Sequence, residues 1–216
     1  MPVAHWYMRI YPKAVIFDYG HVLSDPQPKA DVEAMASLLQ MDFDTFHDSS
    51  WRFRGKYDEA AIDPGSYWNA VAQRALPPQD IERLIDIDSR SWTHPNPVML
   101  EWARQLRQAG LRTAILSNIP VPIRDAVERC EWLPEFDCRT YSCDLRVTKP
   151  SPEIYKHCLA QLEIPPSEAL FLDDRRENVQ AAEALGMHGL VFTTPQDAAA
   201  EIDRRFGIPV PLIATL

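Results

Sequence analysis

The sequence predicts an α/β protein: a parallel sheet with helices on both faces, interrupted by one helical insertion. Three observations carry this. Short apolar runs recur along the chain, each running into polar residues. Amphipathic stretches of helical length lie between them. One long stretch near the N-terminus has helical patterns but no convincing apolar run. Short continuous apolar runs fit strands covered on both faces, as in parallel sheets. Their alternation with helices argues for successive β–α–β units.

Ala14-Val15-Ile16-Phe17 reads as the first buried strand, ending at Asp18-Tyr19-Gly20. From Pro26 to His94 the alternation breaks. Amphipathic stretches at about 30–39, 67–76 and 79–87, punctuated by prolines and glycines, read as an inserted helical module of roughly 70 residues, the size of a small lid. After it come a helix over 97–109, a strand over 113–116 leading into Ser117-Asn118, and a helix over 122–132. A weaker strand over 139–142 and a helix over 152–162 follow. A strand over 169–172 leads into Asp173-Asp174, and a helix over 177–185 precedes a last strand over 189–192. Pro97, Pro122 and Pro152 stand near helix starts, where proline is tolerated, and Gly110 and Gly186 stand where helices stop. The division is therefore a core of 1–25 and 95–216 with a helical insertion of 26–94. Residues 1–12 read as a loose extension, and 195–216 receive no assignment.

Composition narrows the function. The chain has 216 residues, 46% of them hydrophobic and 25% charged, which is a soluble globular composition with material for a core. A net charge of −9 disfavours general binding to nucleic acid or anionic membranes. It does not exclude a phosphate site that a metal and a few placed cations neutralise locally. Cys130, Cys138, Cys143 and Cys158 form no CxxC pair, and no histidine cluster supplies zinc spacing, so they read as reduced thiols in a cytoplasmic protein. No run approaches the roughly 20 apolar residues of a membrane span, and residues 1–9 lack a signal-peptide pattern. No repeat or low-complexity tract is visible.

The chemistry-bearing residues follow the expected strands. Ligands of open parallel sheets bind beyond the carboxyl ends of the strands. Asp18, Ser117-Asn118 and Asp173-Asp174 all fall there and can converge. Clustered carboxylates repel one another, and a hard divalent cation such as Mg²⁺ relieves that repulsion through oxygen ligands. A carboxylate can attack phosphorus and divide one hard transfer into two easier ones, given a metal to lower the charge repulsion. Ser117-Asn118 offers hydroxyl, amide and backbone donors for phosphate oxygens, and Lys149 a cation for phosphoryl charge. Taken singly, each reads equally as a turn residue, a helix cap or solvated surface.

Taken together and in order, four pieces resemble the haloacid dehalogenase-like hydrolase superfamily. They are Val15-Ile16-Phe17-Asp18-Tyr19-Gly20-His21-Val22-Leu23, then Ile115-Leu116-Ser117-Asn118, then Thr148-Lys149-Pro150-Ser151-Pro152-Glu153-Ile154-Tyr155. The fourth is Phe171-Leu172-Asp173-Asp174, followed by Arg175-Arg176-Glu177-Asn178 and Ala184-Leu185-Gly186-Met187. The resemblance spans about 13–192. It implies a three-layer α/β/α Rossmann-like core with a helical cap inserted after the first strand. It also implies a Mg²⁺-dependent phosphatase acting on a small phosphorylated metabolite through an aspartyl-phosphate on Asp18. Ser117, Asn118 and Lys149 would contact the phosphoryl group or support that contact. The metal would be held by Asp18, Asp174 and the carbonyl of Gly20, with Asp173 bound directly or through water and Asn178 supporting from behind. The expected partner is a small molecule, and the expected state a monomer or homodimer.

Two positions depart from that pattern. Most phosphatases of the superfamily carry a second Asp two residues after the nucleophile, and here that residue is Gly20. General acid–base help is typically worth about 10²–10⁴ in rate, so substrates with leaving oxygens that need little protonation are expected. Anomeric sugar phosphates fit, since Asp18-Tyr19-Gly20-His21-Val22 is most similar to the sugar-1-phosphate phosphatases. His21 could substitute as the acid or pack under the cap. Arg146 stands where relatives often have Gly, and is expected to point outward. Trp51, Phe53, Trp68 and Trp92 could line the cap's inner face and stack on a sugar or ring, or form the cap's own core or its seam with the main domain. Aromatic residues are more often core than site, so none is assigned to substrate. Two other functions stay open: a metal-independent haloacid dehalogenase, disfavoured by the doubled Asp173-Asp174, and a non-catalytic phosphate-binding protein, made credible by Gly20.

Overall fold

A computed structural model describes residues 12–133 and 135–208. The expected loose extension therefore lies, but for residue 12, outside the described residues. Five strands form one parallel sheet in the order β3-β2-β1-β4-β5: β1 (Ala14–Phe17), β2 (Arg112–Ser117), β3 (Cys138–Tyr141), β4 (Ala169–Asp173) and β5 (His188–Val191). The apolar runs alternate strictly between two cores, as the strand period of two requires. Val15 and Phe17 of β1, Ile115 of β2, and Leu170 and Leu172 of β4 enter one core. Ala14 and Ile16, Ala114 and Leu116, and Ala169 and Phe171 enter the other.

Helices close both faces. On the first lie α5 (Pro97–Gln108), α6 (Val121–Glu128) and α10 (Pro195–Phe206), burying Trp102 and Leu106, Ile123 and Val127, and Ile202 and Phe206. On the second lie α8 (Pro152–Leu162) and α9 (Arg176–Ala184), through Ile154, Tyr155 and Ala182. A short α7 (Ser142–Leu145) follows β3. The sheet is thus the middle of three layers. α10 answers the unassigned C-terminal stretch: the Thr194 hydroxyl accepts from the Asp197 amide as an N-cap, and Ile202 and Phe206 are buried.

Between β1 and α5 the chain makes four helices with a core of their own: α1 (Lys29–Leu39), α2 (Phe43–Asp58), α3 (Pro64–Ala72) and α4 (Pro78–Ser91). α2 answers to no stretch singled out in the sequence. Its aromatic residues are spread among polar ones, and its start is set locally by the Asp42 carboxylate accepting from the Thr45 amide at 2.9 Å. The chain leaves and rejoins the sheet layer through a tied crossing. Asp25 N donates to His94 O at 2.8 Å, Asn96 N donates to Leu23 O at 2.9 Å, and Ser24 and Pro95 form an antiparallel bridge. No described helix is long and apolar enough to cross a membrane.

Candidate active site

Register sets the site. Phe17 lies beside Ile115 of β2 and Leu172 of β4, so the residues that follow these strands emerge at one edge. The Asp18 amide donates to Leu172 O at 2.8 Å, which fixes Asp18 against the end of β4. Its carboxylate accepts from the Tyr19 amide at 2.7 Å as the chain enters one wide helical turn over Tyr19–Leu23.

Lys149 joins the strands. Its buried ammonium lies 2.8 Å from Asp18 Oδ1 and 2.7 Å from Asp173 Oδ2, and donates to Leu116 O at 2.9 Å. Burial works against that positive charge, yet Asp173 and Asp18 outweigh it and hold the pKa above the ordinary lysine value. Asp173, fully buried, also accepts from the Arg175 amide at 2.8 Å and from Asn178 Nδ2 at 3.0 Å. Asp174 stands further out, its Oδ2 3.1 Å from His21 Nδ1. Ligand oxygens of Asp18, Asp173 and Asp174 lie within 4.8 Å of one another. Without a cation, burial chiefly, opposed by Lys149 and aided by Asp173 and Asp174, raises Asp18 to a pKa of about 7. Three carboxylates against one ammonium leave a local negative excess in an all-oxygen donor set, which suits a hard divalent ion.

Each residue singled out in the sequence has a definite place. Asp18, Gly20, Ser117, Asn118, Lys149 and Asp174 line one open pocket with about 590 Å³ of empty volume. Asp173 lies behind it, occupied by Lys149 and Asn178. Asn118 is largely engaged with the chain itself: its Nδ2 donates to Lys149 O at 2.9 Å and its Oδ1 accepts from Lys149 N at 2.7 Å. It thereby holds the lysine-bearing loop against β2. Arg146 is exposed and in the left-handed region at φ 55°, which explains why glycine suits that position.

Gly20 has a physical counterpart across the pocket. A Cβ built there would lie 3.2 Å from Trp92 Cζ3. The indole thus stands where a longer side chain at position 20 would begin. Trp92 is fixed by Tyr19, whose hydroxyl donates to Trp92 O at 2.7 Å, and His21 stacks on the ring at 5.7 Å between centroids. His21 takes φ 61° to make that turn, and its hydrogen bond to Asp174, working against burial, raises its pKa.

Sequence reasoning offered Trp51 and Trp92 as one of two readings but missed α2 itself and, with it, Arg54 and Asp58. Trp51, Arg54 and Asp58 line the pocket, as does Trp92 just beyond α4. Arg54 Nε donates to Asp58 Oδ1 at 2.6 Å and Nη1 lies 4.0 Å from Asp88, with the guanidinium 5.8 Å from the Trp51 ring and 5.6 Å from that of Trp92. Burial disfavours its charge, but Asp58 and Asp88 outweigh that and raise its pKa. Ser142 latches this wall to the core: its hydroxyl donates to Asp58 O at 2.6 Å and accepts from Ile119 N at 2.8 Å. The available signal was an Asp42–Thr45 cap followed by Trp51 and Arg54 three apart, which share a helix face. Of the expected seam aromatics, Trp68 is buried and Phe53 partly buried in the insertion's own core.

Comparison with known proteins identifies the family. The sequence profile of the haloacid dehalogenase-like hydrolases matches residues 12–186. The chain belongs to that family, and it is a hydrolase. It is 29% identical to sesquiterpene phosphatase astK of Aspergillus oryzae over 198 residues, covering 90% of this chain and 97% of that protein. It is 30% identical to mouse acyl-CoA dehydrogenase family member 10 over 68% of this chain, but spans only 14% of that much longer protein. Among solved structures, the HAD family enzyme bt-2542 of Bacteroides thetaiotaomicron superposes with a TM-score of 0.70 at 18% identity, covering 89% and 98% of the two chains. Another structure of that enzyme holds magnesium and inorganic phosphate. An L-2-haloacid dehalogenase of Xanthobacter autotrophicus shares the fold, with a TM-score of 0.62 at 20% identity over 88% and 81%.

Proposed function

We propose that the chain is a Mg²⁺-dependent phosphatase in which Asp18 attacks phosphorus and carries a transient aspartyl-phosphate. The observation that carries this reading is the convergence of Asp18, Asp173 and Asp174 within 4.8 Å around the buried Lys149 ammonium. Oxygens of Asp18 and Asp174, with the Gly20 carbonyl, are the natural ligands for the ion, because Asp173 is already engaged by Lys149 and Asn178. When bound, Mg²⁺ supplies charge neutralisation between the carboxylate and the phosphoryl oxygens. Lys149 adds positive charge beside the attacking oxygen, and Ser117 presents its hydroxyl at the end of β2. The helical insertion acts as a cap over the phosphorylated aspartate. With glycine at position 20, the leaving oxygen departs with little proton assistance, so substrates with stable leaving groups, such as aryl, acyl or anomeric phosphates, are favoured.

Phosphatase relatives support the reading, and astK is matched over nearly its whole length. The doubled acid is the observation against halide displacement from carbon, a reaction with no use for a cation among these carboxylates. The test is a panel of phosphomonoesters with Mg²⁺, with EDTA and with Asp18→Asn. Turnover is expected with Mg²⁺ alone, falling by more than about 10³-fold in the variant. Acid-quenched protein should carry a hydroxylamine-sensitive phosphate on the peptide containing Asp18. Halo-acid turnover that survives EDTA overturns the proposal in favour of the dehalogenase. Mg²⁺ binding without any turnover overturns it in favour of a binding protein.

A further inference from the structure

The pocket divides by chemistry. Beside the sheet it is carboxylate, ammonium and hydroxyl. The same lining carries an apolar set, the indoles of Trp51 and Trp92 with Ile119 and Ile123, beside Arg54 and Asp58 of α2. Among the described residues, the large hydrophobic side chains left exposed are Phe43 at 44%, Trp51 at 45% and Val121 at 38%. Trp51 is in the pocket wall. Val121 sits between Ile119 and Ile123, which both line it. Phe43 continues outward from Trp51 along α2 through the His47 ring, each pair of centroids 6.2 Å apart. Of the three, Trp51 alone is in the pocket wall, where its half-exposed indole offers an apolar surface to a ligand.

Charge points the same way. The pocket's cations are Arg54, Lys149 and Arg175. Arg54 is offset by Asp58 and Asp88, Lys149 by Asp18 and Asp173, and Arg175 by Glu177 at 2.6 Å. Each buried cation thus already faces two carboxylates, which leaves only the half-exposed Arg175 at the rim for a second anionic group on a substrate.

From these two observations the geometry points to a phosphomonoester whose leaving group is uncharged and apolar or aromatic, seated against Trp51, Trp92, Ile119 and Ile123. Trp51 is then a specificity-determining residue. The inference rests on the phosphatase reading and narrows its favoured leaving groups to the apolar ones, aryl and acyl, over anomeric sugar phosphates. A sugar or polyol phosphate would set hydroxyls against this wall.

The test is a straight-chain series from ethyl to octyl phosphate, in which leaving-group basicity barely changes while apolar length grows. The wild-type kcat/KM should rise by about threefold per methylene over the first several, as expected for burial of each CH₂. It should exceed that for glycerol 1-phosphate by about tenfold or more at matched length. Trp51→Ala should flatten the rise to below about 1.5-fold per methylene, and Trp51→Phe should restore most of it. Because Trp51 is half exposed, its replacement leaves folding intact, which a melting curve checks. The matching alkylphosphonates, titrated calorimetrically with Mg²⁺ present, should show the same rise in affinity. A flat wild-type series, an equal rise in Trp51→Ala, or preference for the polyol overturns the inference. Asp18-dependent turnover with a flat series overturns it alone and leaves the phosphatase standing. Phosphonate affinity that rises with length, without any turnover, overturns the phosphatase and keeps the pocket's preference.

Discussion

The two walls of the pocket are built differently. The sheet wall places its charges at the ends of buried strands and locks them with contacts of 2.7–2.9 Å between Lys149 and Asp173, Asp18 and the Leu116 carbonyl. The helical wall presents Trp51, Arg54 and Asp58 from α2, joined to the core side by the Ser142 latch. One wall is rigid and acidic, and the other is aromatic with its charges internally balanced. Under the proposed reading the difference separates two tasks: holding a reactive centre, which needs preorganisation by neighbours, and receiving a leaving group.

The sharpest way to break this comparison is to remove the central cation of each wall. Lys149→Ala leaves Asp18 and Asp173 buried and uncompensated, and should destabilise the protein by about 3–5 kcal/mol. Mg²⁺ should recover part of that loss in denaturant titrations, because the added cation replaces some of the missing charge. A loss no larger than that of an exposed lysine would show that the sheet wall is not electrostatically locked.

Arg54→Met is the equivalent change in the helical wall, with an expected cost of about 3 kcal/mol at neutral pH. Burial already raises the pKa of Asp58 and Asp88, against the opposing pull of Arg54. Without the guanidinium both should rise further. Groups with raised folded pKa bind protons more readily folded than unfolded, so the variant should regain stability as pH falls from about 7 towards about 4. Unfolding curves across that range check the sign, and hydrogen exchange should place the loosening in α2 and α4 first. A pH-independent deficit would mean that packing, not charge, is what Arg54 supplies.

The smallest expected effect sits where the walls meet. Gly20→Asp should cost about 1–3 kcal/mol through crowding against Trp92 and should not speed turnover of alkyl phosphates. In the double variant with Trp92→Leu the two costs should be less than additive, because the contact is shared. Additive costs would show that Trp92 does not occupy the space above Gly20.

The sequence made one wall far more legible than the other. Ala14-Val15-Ile16-Phe17 and Ala169-Leu170-Phe171-Leu172 announce themselves because strands covered on both faces must be apolar throughout, and the acids after them follow from chain order alone. α8, bounded by Pro152 at its start, coincides with the expected 152–162. α2 hid because its stability comes from partners distant in sequence, such as Asp88 for Arg54 and Val71 O for the Ser49 hydroxyl. Gly20 could be seen to lack a side chain, but its complement could not be seen, because Trp92 reaches it only through the fold. Asn118 illustrates the limit at one residue: its type suggests a ligand contact, while its hydrogen bonds show a buckle on the Lys149 loop.

The tied crossing at Leu23–Asp25 and His94–Asn96 has one more consequence. Outgoing and returning strands lie side by side there, so what is hung beyond them makes no demand on the sheet's connectivity. A short turn joining the two would close the chain as a hairpin, and a different set of helices could be grafted at the same stem. Under the proposed reading, the contribution of Trp51 and its helix to selectivity can be exchanged at this stem, while the strand-end residues and the Ile119 and Ile123 part of the wall stay with the sheet.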